Sequence, residues 1–410
     1  MRVSLRSSLT AFALAGAMYA AAAPADLKFA YIDPLSGGAA SAGILGQKHM
    51  QFFVDKINAA GGLNGEKITL LVYDSKVSPQ ETLIVLKKAI DEGARYVLQG
   101  NGSSVAHAIT DAVLKHNERN PGQEVLYFNY AAVDPALTNE KCNFWHFRFD
   151  ADADMKMAAL TDAIKRTPKI KKVYLINQDY SFGHAVSAAA KKMLKEKRPD
   201  IEIVGDEFHP LMKVQDFSPY VAKIKASGAQ AVITGNWSND MLLLIKAGKD
   251  AGLDVSWYTF YAGALGAPSA IGKDGVGVVK QVSEWHKNVE ATLDPDAAAY
   301  EKRFTQKEDD FAFWRIKTMW EMFVAAAKKA KSNDPVKVAL ALEGMKMDTP
   351  LGPVEMRADN HQLLQPLYVS TMSDKVKYDV EDTGVGFVTD VKIDAEATRL
   401  PTVCKMERPS

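Results

Sequence analysis

Apolar positions along this chain alternate between two periods. Residues 27–32 form an apolar run of strand length, whereas in 44–60 Met50, Phe53, Val54 and Ile57 recur at helical spacing. Gly61-Gly62 then permits a left-handed cap that ends the helix. The alternation continues with strand 68–73 and a helix opened by Ser78-Pro79, with Leu83, Leu86 and Ile90 on one face. Strand 95–98, helix 103–116 and strand 125–129 follow. Such a β-α-β-α-β order predicts a parallel sheet covered by helices on both faces.

A second series starts after Phe147-Arg148-Phe149. It predicts strand 172–176, helix 182–197, strand 201–204, helix 217–226 and strand 231–234. A helix with Met241, Leu244, Ile245 and Gly248 on one face comes next, and a last strand at 256–260. A later amphipathic helix spans 311–329, and 349–370 reads as extended segments returning across the halves. The predicted fold class is α/β, with two Rossmann-like lobes, each built on a parallel sheet, joined by several short crossings that act as a hinge. Lobe I takes residues 26–147 plus 285–350, and lobe II takes 148–284 plus 351–410. Ligands bind beyond the carboxyl ends of parallel strands, so two facing sheets predict a site between the lobes.

The 410 residues exceed one ordinary core and suit two. Lys+Arg and Asp+Glu both number 50, so the basic surplus that nucleic-acid binding needs is missing. Lys191, Lys192, Lys195, Lys197 and Arg198 read as a solvated face near the negative end of a helix. Residues 1–25 read as a secretory signal peptide. Arg2 and Arg6 precede an apolar run, 9–19, too short to cross a bilayer, and alanines follow. Cleavage is expected after Ala25 in preference to Ala22 or Ala23, and no cysteine offers a lipid anchor there. The two cysteines, Cys142 and Cys404, are then expected to pair and tie the C-terminal tail to the middle of the chain; two free thiols are the alternative.

Several stretches, in order, resemble a known family. They are Pro34-Leu35-Ser36-Gly37, the run from Asp55 through Gly65, Tyr73-Asp74, Gly102-Ser103-Ser104, and Ala131-Ala132 followed by Asp134-Pro135-Ala136-Leu137-Thr138. Tyr180-Ser181-Phe182-Gly183 and Thr349-Pro350-Leu351-Gly352-Pro353 complete the set. Each is weak alone, but their joint order across the mature chain is similar to the leucine/isoleucine/valine-binding type of ABC-transporter solute-binding protein, with the type I periplasmic binding fold. The resemblance implies a non-enzymatic periplasmic protein that captures a small carboxylate-bearing solute by hinge closure. It implies delivery to membrane permease and ATPase subunits; the chain itself has no GxxxxGK[ST] phosphate loop. A monomer without cofactor or metal is expected.

The same resemblance places ligand contacts at Asn101, Gly102, Ser103 and Ser104, where a helix N-terminus after a strand favours a carboxylate. Capping of that helix by the serines is the structural alternative. Ala131, Ala132 and Val133 form the second segment, and Ala42, Phe182, Trp237, Tyr261 and Ala262 the remaining contacts. The departures shape the expected ligand. Val133 stands where amino-acid binders of the family place a threonine. The stretch from Tyr258 to Gly263 lacks the acid that would hold an α-ammonium. Ala42 makes space, and Phe182 and Trp237 supply flat apolar surface. An aromatic or apolar carboxylic acid is one reading. An amino acid is the other, with Asp240 or Glu284 replacing the acid.

Other readings have less support. Gly102-Ser103-Ser104-Val105-Ala106 approaches the GxSxG elbow of α/β-hydrolases but ends in alanine, with no evident partner among His209, His286 and His361. Asp150, Asp152 and Asp154 start like a calcium loop, yet Met155 and Thr161 replace its glycine and glutamate; a helix N-terminus suits these acids better. A ligand-sensing receptor module of the same fold remains an alternative to transport.

Overall fold

The computed structural model describes residues 26–409; the expected signal peptide at 1–25 lies outside them. The first series runs β1 (Leu27–Asp33), α1 (Ala40–Ala59), β2 (Ile68–Asp74), α2 (Pro79–Asp91), β3 (Tyr96–Gln99), α3 (Ser103–Arg119), β4 (Leu126–Asn129) and β5 (His146–Arg148). Its strands form an all-parallel sheet in the order β2-β1-β3-β4-β5. β3 and β4 are buried throughout, which is why they read as continuous apolar runs. Ser78 caps α2 by accepting from the Glu81 amide, and Pro79 presets the first turn.

The second series runs α4 (Ala153–Lys165), β6 (Lys172–Gln178), α5 (Ser181–Lys197), β7 (Glu202–His209), α6 (Ser218–Ala226), β8 (Ala231–Thr234), α7 (Ser238–Asp250), β9 (Ser256–Thr259), α8 (Ala267–Ile271) and β10 (Val279–Ser283). Then come α9 (Pro295–Arg303), α10 (Trp314–Ala330), α11 (Pro335–Leu342), β11 (Lys346–Thr349), β12 (Gly352–Met356), β13 (Leu363–Leu364), β14 (Leu367–Ser373) and β15 (Gly386–Ile393). The second sheet has the order β15-β14-β10-β9-β8-β6-β7. Read as β7-β6-β8-β9-β10, its parallel part repeats the order of the first sheet.

The strand at 256–260 is therefore not the last of its series, as the apolar pattern suggests. β10 extends the sheet in parallel, and β14 and β15 add antiparallel strands at its edge. β14 begins within the extended stretch 349–370, but β10 and β15 escape a search for apolar runs because polar residues interrupt them: Lys280, Gln281 and Ser283 in β10, and a half-exposed alternation in β15. A smaller antiparallel sheet, β11-β12-β13, completes the fold.

Two main cores follow from this order. α10 returns late in the chain to the first sheet, where Trp320 and Phe323 meet Phe29 at ring separations of 5.1 and 5.2 Å. Leu351, Val354, Met356 and Leu363 also join that core, while Leu364 and Leu367 belong to the second. Residues 148–152, 283–286 and 363–367 thus pass between the cores. Arg148, fully buried, donates to the Gln362 side chain at 2.6 Å, and Gln362 donates to the Asp150 carbonyl at 2.8 Å, so two of these crossings are bonded together. Cys142 and Cys404 are disulfide-bonded across 262 positions of sequence.

The basic segment late in α5 needs correction. Lys191, Lys192 and Lys195 are exposed, but Arg198 is buried at 8% exposure. Its guanidinium donates to the carbonyls of Ile164 and Ile170 and pairs with Asp200, satisfying the end of α4 and the following turn.

Candidate functional site

Each parallel sheet reverses its winding at one place, between β1 and β3 in the first and between β6 and β8 in the second. There the segments leaving adjacent strands diverge and leave a crevice. Both crevices open into one cavity of about 70 Å³, room for roughly five ordered waters or one compact solute. Ser41, Ala42 and Leu45 follow β1, and Gly100, Asn101, Gly102 and Ser103 follow β3. Tyr180 and Phe182 follow β6, and Trp237 and Ser238 follow β8. Ala131, Ala132 and Val133 line it after β4, Tyr261, Ala264 and Leu265 after β9, and Phe311, Phe313 and Arg315 where the chain enters α10.

The helices that follow these strands point their first turns at the cavity. Glycine makes the close approach possible in both lobes: a Cβ on Gly43 would overlap the Pro34 carbonyl, and one on Gly183 the Gln178 carbonyl. α3 starts at Gly102, whose φ of +97° suits glycine, and no side chain caps that helix. The serines are not its caps. Ser103 Oγ instead accepts from the Asp134 amide at 3.3 Å. The Gly100 and Asn101 amides donate to buried Asp33 at 3.2 and 2.8 Å, and the Asn101 side chain donates to the Tyr130 hydroxyl.

The rest of the wall is mostly aromatic and neutral. Trp237 Nε1 donates to the Tyr180 hydroxyl at 2.9 Å, fixing both rings. Burial raises the Tyr180 and Tyr261 phenols above their ordinary range, so both stay protonated. Among the described residues lining the cavity, Arg315 is the charged one and no carboxylate is present. Arg315 Nη1 donates to Glu284 at 2.6 Å, and Lys156 pairs with Asp150 at 2.8 Å just behind. Burial opposes the charge of Arg315, but Glu284 and Asp150 outweigh it and hold the guanidinium above its ordinary pKa. Asp240 is fully buried beside the site, where it accepts from Gln178 and the Met212 amide, both at 2.8 Å.

Ala42, Asn101, Gly102, Ser103, Ala131, Ala132, Val133, Phe182, Trp237 and Tyr261 therefore come together at the cavity. Two expected contacts do not. Ser104 lies one position further along α3 and outside the lining. Ala262 packs into the core on the far side of the second sheet, its amide donating to Thr259 Oγ1 in the turn that follows β9. Neither Asp240 nor Glu284 reaches the wall. Sequence reasoning missed Tyr180 within a stretch it had noted, and Phe311, Phe313 and Arg315. The available signal was an arginine directly after the aromatic stretch Phe311–Trp314.

The elbow-like serines have no histidine bonded to them among the described residues. His209, His286 and His361 contact Asn236, Thr389 and Glu343 instead. Asp152 caps α4 by accepting from the Met155 amide at 2.8 Å.

A family profile described as periplasmic binding protein matches residues 26–377. The chain belongs to the periplasmic binding proteins. It is 37% identical over 408 residues to Leu/Ile/Val-binding protein homolog 4 of Brucella melitensis, covering 97% of this chain and 96% of that one. The crystal structure of a leucine-, isoleucine-, valine-, threonine- and alanine-binding protein from Brucella ovis, in a closed conformation, superposes with a TM-score of 0.82. That structure is 35% identical and covers 94% of this chain and 100% of its own. An ABC-transporter solute-binding protein from R. palustris in complex with benzoate shares the fold at 20% identity, with a TM-score of 0.77 and coverage of 93% and 99%. This periplasmic binding protein is thus a substrate-binding component of the branched-chain amino acid type of ABC transporter, a family without catalysis, whose members take small solutes and work with permeases.

Proposed function

We propose that this protein captures a small carboxylate with an apolar or aromatic body and presents it to the permease and ATPase subunits of an ABC importer. One observation carries the reading. The first turns of α1, α3, α5, α7 and α10 and the Arg315 guanidinium line one aromatic cavity whose wall contains no carboxylate. Helix N-termini and a cation favour an anion, whereas an ammonium buried there would lack a charged partner. Asn101, Gly102, Ser103, Ala131, Ala132 and Val133 would approach the polar end, and Ala42, Phe182, Trp237 and Tyr261 the body.

In this reading residues 1–25 are a cleaved signal peptide that delivers a monomer to the periplasm. The lobes are 26–147 with 285–350 and 148–284 with 351–410. The core membership of Leu351, Val354, Met356 and Leu363 supports a last boundary at 363–367. Hinge closure between them excludes water from the ligand.

A branched-chain amino acid is the second reading, favoured by the name of the Brucella ovis relative. Thermal shift of the purified mature protein separates the two. A ligand at about 100 times its dissociation constant adds about 2.7 kcal/mol of stability. Stabilisation by benzoate or 4-methyl-2-oxopentanoate, without stabilisation by leucine, is the expected outcome. Stabilisation by leucine alone overturns it.

A further inference from the structure

We propose that Arg315 holds the ligand's anionic group and sets the specificity of the cavity, an assignment that rests on reading the ligand as a carboxylate. The residue is 5% exposed and enters the wall from the first turn of α10. A guanidinium carries five N–H donors in a rigid plane. Here Glu284 takes one, through Nη1. Nε has no hydrogen-bond partner: the Asp150 oxygen it faces as an ion pair stands 3.7 Å away, and that oxygen accepts from Lys156 at 2.8 Å. Buried donors without acceptors are costly, and a ligand carboxylate is the acceptor whose geometry matches the fork.

The surroundings hold that fork in place before any ligand arrives. Its Cζ lies 4.7 Å from the centre of the Phe313 ring, and Glu284 fixes one edge. Arg315 and Lys156 balance Glu284 and Asp150, so the guanidinium is not surrounded by excess negative charge. An α-ammonium at this end would set donors against donors. An amide would offer one neutral carbonyl in place of two charged oxygens. The arginine therefore selects for a carboxylate over both. Glu284 and Asp150 also lie at two of the chain crossings, so an anion on Arg315 is bound beside the hinge.

Calorimetric titration of the mature protein with benzoate and its neutral isostere benzamide tests this, alongside 4-methyl-2-oxopentanoate and leucine. Arg315→Lys keeps the charge that Glu284 needs and removes the planar fork; Arg315→Gln removes the charge. The wild type is expected to prefer benzoate over benzamide, and 4-methyl-2-oxopentanoate over leucine, whose carboxylate brings an ammonium with it. Arg315→Lys should weaken carboxylate binding by about tenfold or more with unchanged circular dichroism. Arg315→Gln should narrow the benzoate-over-benzamide preference, a readout that a purely structural role would leave alone. If Arg315→Gln does not fold, Arg315→Lys decides. Carboxylate affinity in Arg315→Lys within about twofold of wild type overturns the assignment and leaves the proposed function standing. A wild type that binds neither benzoate nor 4-methyl-2-oxopentanoate overturns both.

Discussion

Asp33 shows how one residue beneath the site shapes it. It ends β1, is fully buried, and accepts from the Gly100 and Asn101 amides and the Tyr130 hydroxyl. By taking those two amides it leaves the later part of the turn, at Gly102 and Ser103, to face a solute. Burial pushes its carboxyl up to about 7, against the pull of these hydrogen bonds. The unfolded value lies near 4, so between about pH 4 and 7 the folded state binds the extra proton. Stability from this group is therefore greatest at the acid end and is lost as pH rises through the folded value. Urea unfolding from pH 5 to 7.5 should show that decline in the wild type and a shallower one in Asp33→Asn. Equal slopes would remove Asp33 from the account. At this scale the sequence was a partial guide. The small residues after strands were legible because close backbone approach requires them. Arg315 was not, because its partners Asp150 and Glu284 lie 165 and 31 positions away and nothing local marks their meeting.

At the level of elements, the repeated order of the two parallel sheets brings the strand ends and helix starts together. That repeat was readable because parallel strands covered on both faces must be apolar throughout. β10 and β15 were not readable, since edge and antiparallel strands tolerate the polar residues seen at Lys280, Gln281 and along β15, whereas β14 begins inside the stretch 349–370 that reads as extended. Gly183 tests how closely the α5 start must press on the end of β6. Its Cβ-free contact with the Gln178 carbonyl seats Phe182 against the cavity. Gly183→Ala should cost about 1–3 kcal/mol in chemical denaturation and weaken solute binding, as overpacking shifts the backbone. Retained stability and affinity would mean that α5 can slide without consequence for the wall.

Across the whole molecule, the lobes meet over the cavity as well as behind it. Ser238 holds a φ of +51° at the start of α7 and its hydroxyl donates to the Gly38 carbonyl at 2.9 Å, joining the two halves at the mouth. Behind, the chain after β15 runs back from the second core to the first. Thr402 donates to the Thr138 carbonyl at 3.2 Å, and the disulfide fixes Cys404 to Cys142. Replacing both cysteines by serine should lower stability by about 2–5 kcal/mol, read as the denaturation midpoint under oxidising conditions. Unchanged stability would show that the noncovalent contacts of the tail suffice.

The disulfide also makes the tail a leash. About ten residues separate the end of β15 from Cys404, a length that spans at most ~35 Å when drawn straight. Any opening motion that parts the lobes must either stay within that reach or peel the tail from its contacts: Leu400 from Arg357, Arg399 from Glu355 and Thr402 from Thr138. The covalent bond thus sets an upper limit on the aperture of the resting protein, and a chain whose thiols have not yet joined can gape wider than one whose thiols have.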